Sequence, residues 1–240
     1  MSDHIYSRRR MLEMSALGVA GLTLSACVTA EVPQDDAPAR PTGGDTNGSG
    51  FNYALAYGAV SDGGFNVPAV PWQRIDKRLL RQRVANNTGV GPGKIVVETS
   101  RHYLYVTEPG GRAIRYGVGL GRQGFEWSGE GYIKRKAKWP KWHPPAEMID
   151  REPELEKYRT TYNRATDTWV GGMEPGLLNP LGARAHYIFQ GNQDTLYRLH
   201  GSPEWWSIGK SVSSGCVRLI NQDVIDLYKR VRSGAEIVVR

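Results

Sequence analysis

From Lys94 to the C-terminus the chain is a succession of short β-branched or aromatic runs separated by turn residues, and this confines it to a mainly β architecture. Ile95–Thr99 and Tyr103–Thr107 are two such runs. Glu108-Pro109-Gly110-Gly111 supplies turn chemistry before Ala113–Val118, so the three runs read as a β-meander. Further strands are expected at Ala185–Gln190, Leu196–Leu199 and Glu236–Val239. Helices are few. Apolar residues at 75, 79, 80 and 84 predict one over Ile75–Val84, and Val224, Leu227, Tyr228 and Val231 predict another over Asn221–Val231, with Asn221 as N-cap and Gly234 just past its end. A long loop dense in Trp, Pro and Gly is expected between Gly121 and Pro180. Its Trp side chains either plug the ends of a barrel or sandwich, or wall a groove that takes a sugar or peptide.

The first part of the chain follows different rules. Ser7-Arg8-Arg9-Arg10-Met11-Leu12-Glu13 precedes an apolar stretch from Met14 to Ala26 that is too short to span a bilayer, so residues 1–26 are expected to be an export signal. The Arg cluster resembles a twin-arginine signal, and Leu24-Ser25-Ala26-Cys27 resembles a lipobox, whose cysteine would be lipidated. Ordinary secretion with cleavage after Ala26 or Ala30 is the alternative. Residues 27–65 are rich in Pro, Gly, Asp, Asn and Ser without apolar period, and are expected to be a flexible linker. Residues 66–93 would form a lead-in with one short helix, and residues 94–240 the functional domain. At 240 residues, 40% hydrophobic and 23% charged, the chain suits one soluble domain with appendages. The net charge of +7 suits an anionic partner without choosing among nucleic acid, a membrane surface and wall polymer.

Several motifs are decoys. Gly119-Leu120-Gly121-Arg122-Gln123-Gly124 matches the dinucleotide fingerprint, but Phe-Glu-Trp-Ser-Gly-Glu-Gly follows instead of a helix, and no βαβ alternation surrounds it. Ser207-Ile208-Gly209-Lys210 has the spacing of a penicillin-binding serine motif without the Lys-Thr-Gly that such chemistry needs. The five His, at 4, 102, 143, 186 and 200, show no ligand spacing, so no metal is expected and no cofactor is implied. With Cys27 in the export segment, Cys216 has no second cysteine with which to form a disulfide. It is either a buried small hydrophobe or a nucleophile.

The neighbours favour the nucleophile. Tyr197-Arg198-Leu199-His200-Gly201-Ser202 ends a strand, and Ser213-Ser214-Gly215-Cys216-Val217-Arg218 joins a loop to the Asn221 helix. A strand-end His facing a loop Cys can take the thiol proton, and Gly215 lets backbone N–H groups turn toward an oxyanion. Arg218 adds positive charge that favours thiolate or holds a substrate carboxylate.

His200-Gly201, Ile208-Gly209 and Ser213-Ser214-Gly215-Cys216-Val217-Arg218 resemble the active-site signature of the L,D-transpeptidase catalytic domain, often called the YkuD domain. The resemblance runs from about Lys94 to Arg240, through Gly124–Gly129, Trp139-Pro140-Lys141-Trp142 and Asn179-Pro180-Leu181-Gly182. It implies a β-sandwich-like fold with Cys216 as nucleophile and His200 as base. Gly201 would hold the imidazole through its carbonyl, and Ser213, Ser214 and Gly215 would support the oxyanion. Arg218, Tyr187 and Trp127 would bind substrate. Many members have His where this chain has Ser214, so any role of that second His is missing. The implied reaction is acyl transfer on peptidoglycan stem peptides in the periplasm. The acceptor would be a second stem (a 3→3 cross-link), water, or a wall-anchored envelope protein. No nucleic acid is implied, and membrane contact only through the signal or a lipid on Cys27. A non-catalytic wall-binding module and a generic cysteine protease are the alternatives.

Overall fold

The computed structural model describes residues 50–121, 127–213 and 215–240. The expected export signal, Cys27, residues 28–49 of the expected linker, Gly124–Glu126 and Ser214 lie outside the described residues. The strands are β1 (Val60–Asp62), β2 (Phe65–Val67), β3 (Gln82–Ala85), β4 (Ile95–Glu98), β5 (Tyr103–Glu108), β6 (Arg112–Gly117), β7 (Leu120–Gly121) and β8 (Gly129–Lys138). They continue with β9 (Thr161–Asn163), β10 (Thr168–Val170), β11 (Arg184–Gln190), β12 (Gln193–Ser202), β13 (Ser211–Ser213), β14 (Val217–Ile220) and β15 (Glu236–Val239). Three short α-helices accompany them: α1 (Tyr53–Ala56), α2 (Ala146–Arg151) and α3 (Asn221–Arg230). The mainly β expectation holds.

Nine strands form one mixed sheet in the order β14-β12-β11-β8-β15-β4-β5-β6-β3. The β4–β6 meander is antiparallel, as its turns require. β12 with β14 and β15 with β4 are parallel pairs. Alternation along β4 explains why Ile95-Val96-Val97 is apolar throughout. Ile95 and Val97 enter a core under α3 with Leu199, Val217, Val224 and Leu227, while Val96 faces a second core with Tyr57, Leu80, Tyr103 and Tyr105.

That second core corrects the expected linker. From Phe51 onward the chain is part of the domain: Tyr57 and Leu80 are fully buried, and Asn52 caps α1 by accepting from Leu55 N. A strand face carrying Val96, Tyr103 and Tyr105 needs an apolar cover, and Tyr53, Tyr57, Ile75, Leu79 and Leu80 supply it. The Tyr57 hydroxyl donates to the buried Asp223 of α3 and accepts from Arg81 N at 2.7 Å, which ties the segment to the helix behind the sheet. A fragment beginning at residue 66 is therefore expected to expose this face. Thermal denaturation should show it melting well below a fragment beginning at residue 50, and equal melting temperatures would contradict the packing.

Three further expectations are corrected. Ile75–Val84 is not a helix but a single 3-10 turn, Lys77–Leu79, begun by the Asp76 side chain, followed by β3. Ladder bonds to β6 override the apolar periodicity there. The expected loop from 121 to 180 contains β8, a ten-residue strand inside the main sheet, together with α2 and the β9–β10 hairpin. Its Lys and Arg side chains on an open face hide the strand from an apolar count. Asn221 is the first residue of α3 and not its N-cap, which is Ile220. The Asn221 amide oxygen instead accepts from Ala183 N at 2.9 Å.

Candidate active site

β12 and β14 run in parallel with Leu199 opposite Val217 and His200 opposite Arg218. Period-two alternation sends Leu199, Val217 and Leu219, all fully buried, into the core under α3. It leaves His200 and Arg218 on the other face. Extending the register by one residue sets Cys216 beside Arg198, on the face of His200. The two residues singled out from sequence thus share one sheet face on neighbouring strands.

The His200 imidazole is 5% exposed and lies 2.6 Å through Nδ1 from the Gly201 carbonyl. A carbonyl only accepts, so the proton of the neutral ring sits on Nδ1 and Nε2 keeps its lone pair. Burial lowers the His200 pKa to about 4. The Gly201 and Pro180 carbonyls oppose this, while the Arg218 and Arg198 charges add to it. Burial also pushes the Cys216 thiol up, against the Arg198 N–H and the two guanidinium charges. Both shifts favour the neutral forms, thiol and imidazole, near neutral pH.

Close packing fixes this geometry. A Cβ on Gly201 would lie 2.4 Å from Asn221 Oδ1 and 2.9 Å from Val224 Cγ1, so only glycine lets α3 and the Ala183 backbone approach behind the imidazole. Asn179 is fully buried. Its amide nitrogen donates to the carbonyls of Pro140, Met173 and Glu174, and its oxygen accepts from Leu181 N, which holds the Pro180 carbonyl against His200. Asn179→Ala is expected to leave those carbonyls unsatisfied and cost about 1–3 kcal/mol of stability. Urea denaturation measures this, and a change below about 0.5 kcal/mol would contradict the role.

The remaining expected residues are placed as follows. Gly215 has φ +129, and a Cβ there would stand 3.8 Å from Tyr197 Cε1. Tyr197 stacks on Trp127 with ring centroids 6.2 Å apart, so Trp127 reaches the Gly215–Cys216 turn through Tyr197. Ser213 closes β13, which pairs with β7. Arg218 is engaged by Glu204 at 2.7 Å. Tyr187 is 8% exposed, with the guanidiniums of Arg135 at 3.8 Å and Arg198 at 4.4 Å from its ring centroid. His102 contacts Ser211 and His143 contacts Thr160. Trp139 packs on Phe65 and donates to Asp62, a structural role. Among the described residues no group of three His, Cys, Asp or Glu is placed to hold a metal. Asn179, Tyr197 and Arg198 were missed as site residues. Their sequence signal was membership of motifs already singled out, Asn179-Pro180-Leu181-Gly182 and Tyr197-Arg198-Leu199-His200-Gly201-Ser202, without a role of their own.

Residues 92–239 match the family model of the L,D-transpeptidase catalytic domain, YkuD. Among curated relatives, Probable L,D-transpeptidase YbiS of Escherichia coli (strain K12) is 30% identical over 148 residues, 60% of this chain and 43% of that protein. Probable L,D-transpeptidase ErfK/SrfK of the same strain is 28% identical over 150 residues, 60% of this chain and 43% of that protein. The chain thus spans under half the length of these relatives. A solved structure from Brucella melitensis, described as a probable carnitine operon oxidoreductase, is 43% identical, covering 71% of this chain and 99% of that one with a TM-score of 0.45. An Enterococcus faecium L,D-transpeptidase structure is 14% identical, covering 63% of this chain and 50% of that one with a TM-score of 0.42.

Proposed function

Because the chain belongs to the L,D-transpeptidase catalytic domain family, we propose that it is a peptidoglycan L,D-transpeptidase working through a Cys216 thioester. The observation that carries this reading is the buried His200 imidazole, fixed through Nδ1 by Gly201 on the face that Cys216 shares. Nε2 of His200 takes the thiol proton as sulfur attacks the carbonyl of the third residue of a stem tetrapeptide. Backbone N–H groups at Gly215 and Cys216 stabilise the oxyanion. The C–N bond to D-Ala then breaks, the imidazolium returns its proton to the departing amine, and a thioester remains. An incoming amine reverses these steps. A side-chain amine of a second stem gives a 3→3 cross-link, water gives carboxypeptidase action, and an amine on an envelope protein gives attachment to the wall. We read the chain as exported, with the stem peptide as its partner.

The oxidoreductase description of one solved relative is not adopted for this chain. Gly119–Gly121 runs into β7, whose partner β13 is parallel but short, and Gly119 pairs with Arg218 of the site. A dinucleotide fold needs that glycine turn to open a helix in a βαβ unit.

Mass spectrometry of the purified protein with disaccharide tetrapeptide alone tests the proposal. The expected products are an adduct on Cys216 equal to the disaccharide tetrapeptide minus D-Ala, then a dimer lacking one D-Ala. Tripeptide alone would move the assignment to carboxypeptidase or to a protein acceptor. An unchanged substrate and unmodified protein would overturn it in favour of a wall-binding module.

A further inference from the structure

We propose that Arg135 is the recognition residue for a free carboxylate on the donor peptide, upstream of the carbonyl that Cys216 attacks. The inference rests on the acyl-transfer reading of the same site. Four neighbouring strands carry one row of side chains across the sheet. Cys216 precedes β14 beside Arg198 of β12, Arg198 pairs with Tyr187 of β11, and Tyr187 pairs with Arg135 of β8. With strands about 4.8 Å apart, Arg135 stands about 14 Å from Cys216, the span of roughly four residues of extended peptide. Only one residue follows the scissile bond of a tetrapeptide. A donor chain laid along the row therefore puts its upstream residues over Tyr187 and under the reach of Arg135.

The charges along the row differ in availability. Arg198 forms a bidentate pair with Asp194 and also donates to the Tyr197 carbonyl. Arg218 is held by Glu204. Arg135 is exposed and, among the described residues, has no carboxylate partner. Its guanidinium carbon lies over the Tyr187 ring, 3.8 Å from the centroid. A cation–π contact leaves the N–H donors of a guanidinium uncommitted, and their fork matches a carboxylate. Tyr187 thus serves as the platform that pre-orients Arg135, and it is itself held by Arg198, whose guanidinium carbon is 4.4 Å from the ring centroid. A neutral, amidated stem offers this fork no charge.

The test compares single-turnover acylation of the full protein by two synthetic tetrapeptides, one with free carboxylates upstream of the acyl donor and one with those groups amidated. A carbapenem, which lacks the upstream peptide, serves as third electrophile. The wild type is expected to prefer the free acid by about tenfold to a hundredfold in second-order rate, the range of a charge-assisted pair. Arg135→Gln should erase that preference by raising the apparent KM for the free acid, with its maximal rate, its amide rate and its carbapenem rate unchanged. Arg135→Lys should recover part of it. Equal rates for the two peptides in the wild type, a preference that survives Arg135→Gln, or an effect confined to the later transfer step would each overturn the proposal. Failure of every electrophile on the wild type would instead overturn the acyl-enzyme reading beneath it.

Discussion

Cys216→Ala is expected to abolish covalent adduct formation with both stem tetrapeptide and carbapenem while leaving the fold intact. The chemistry needs a polarisable nucleophile at this position, and the other residues of the site cannot supply one. His200 is buried with Nδ1 committed to Gly201, and the guanidiniums of Arg198 and Arg218 are engaged by carboxylates. Residue 216 is half-buried, in a turn just before β14, and the substitution removes only the sulfur atom, so it opens no large core cavity. The melting temperature should shift by no more than about 2 °C, corresponding to a few tenths of a kcal/mol. Intact-mass spectra and thermal denaturation on one preparation read both halves of the expectation. An adduct retained on the Ala variant would place the nucleophile elsewhere, and Ser207-Ile208-Gly209-Lys210 would then be the segment to digest and sequence. Ser207 is buried with its hydroxyl donating to the Glu204 carbonyl, which argues against it.

The candidate site was legible where chemistry and local geometry coincide in sequence. His200-Gly201 and Gly215-Cys216 carry the residue types of a base with its anchoring carbonyl and a nucleophile with its glycine turn, and part of β12 could be read from Leu196–Leu199, although the strand runs past His200 to Ser202. β15 was equally plain, because Glu236–Val239 is a central strand with little to hide. Supporting residues were not legible, since their roles depend on register between strands distant in sequence. Nothing local says that Arg135 and Arg198 clasp Tyr187, since that follows from two ladders and two bulges. β8 itself was invisible because its alternation sets Lys and Arg against small or moderate apolar residues. The segment from Phe51 to Leu80 was read as tether and helix for a related reason. Its apolar residues, including the helix-spaced Ile75, Leu79 and Leu80, are placed to fit the face of Val96, Tyr103 and Tyr105 and not to build a helix of their own.

The second large effect concerns His200, whose replacement by Gln should slow acylation by about 10²- to 10⁴-fold and change how both rate and stability depend on pH. A Gln amide can still donate to the Gly201 carbonyl but cannot accept a thiol proton. In the wild type the basic form of His200 persists down to its folded pKa of about 4. Acylation should therefore hold well below the usual imidazole range near pH 6.5 and fall only as pH approaches 4. Because burial raises the Cys216 thiol, alkylation by iodoacetamide, which needs thiolate, should be slow at pH 7 and climb through the alkaline range with no acid plateau. The stability sign follows from the same shift. With the folded pKa below the unfolded value, the contribution of His200 is complete above about pH 6.5 and is lost as pH falls through 4. It amounts to roughly 3 kcal/mol. His186, buried and held near 3, acts in the same direction, whereas the Asp223 carboxyl, raised to about 7 by burial, acts in the opposite one. The wild-type curve is thus a sum, and the difference between wild type and His200→Gln isolates the single group. That difference should run from a constant above pH 6.5 to a wild-type disadvantage that grows toward pH 4. A flat difference, or an acid plateau in alkylation that marks a resting thiolate–imidazolium pair, would contradict the buried neutral dyad.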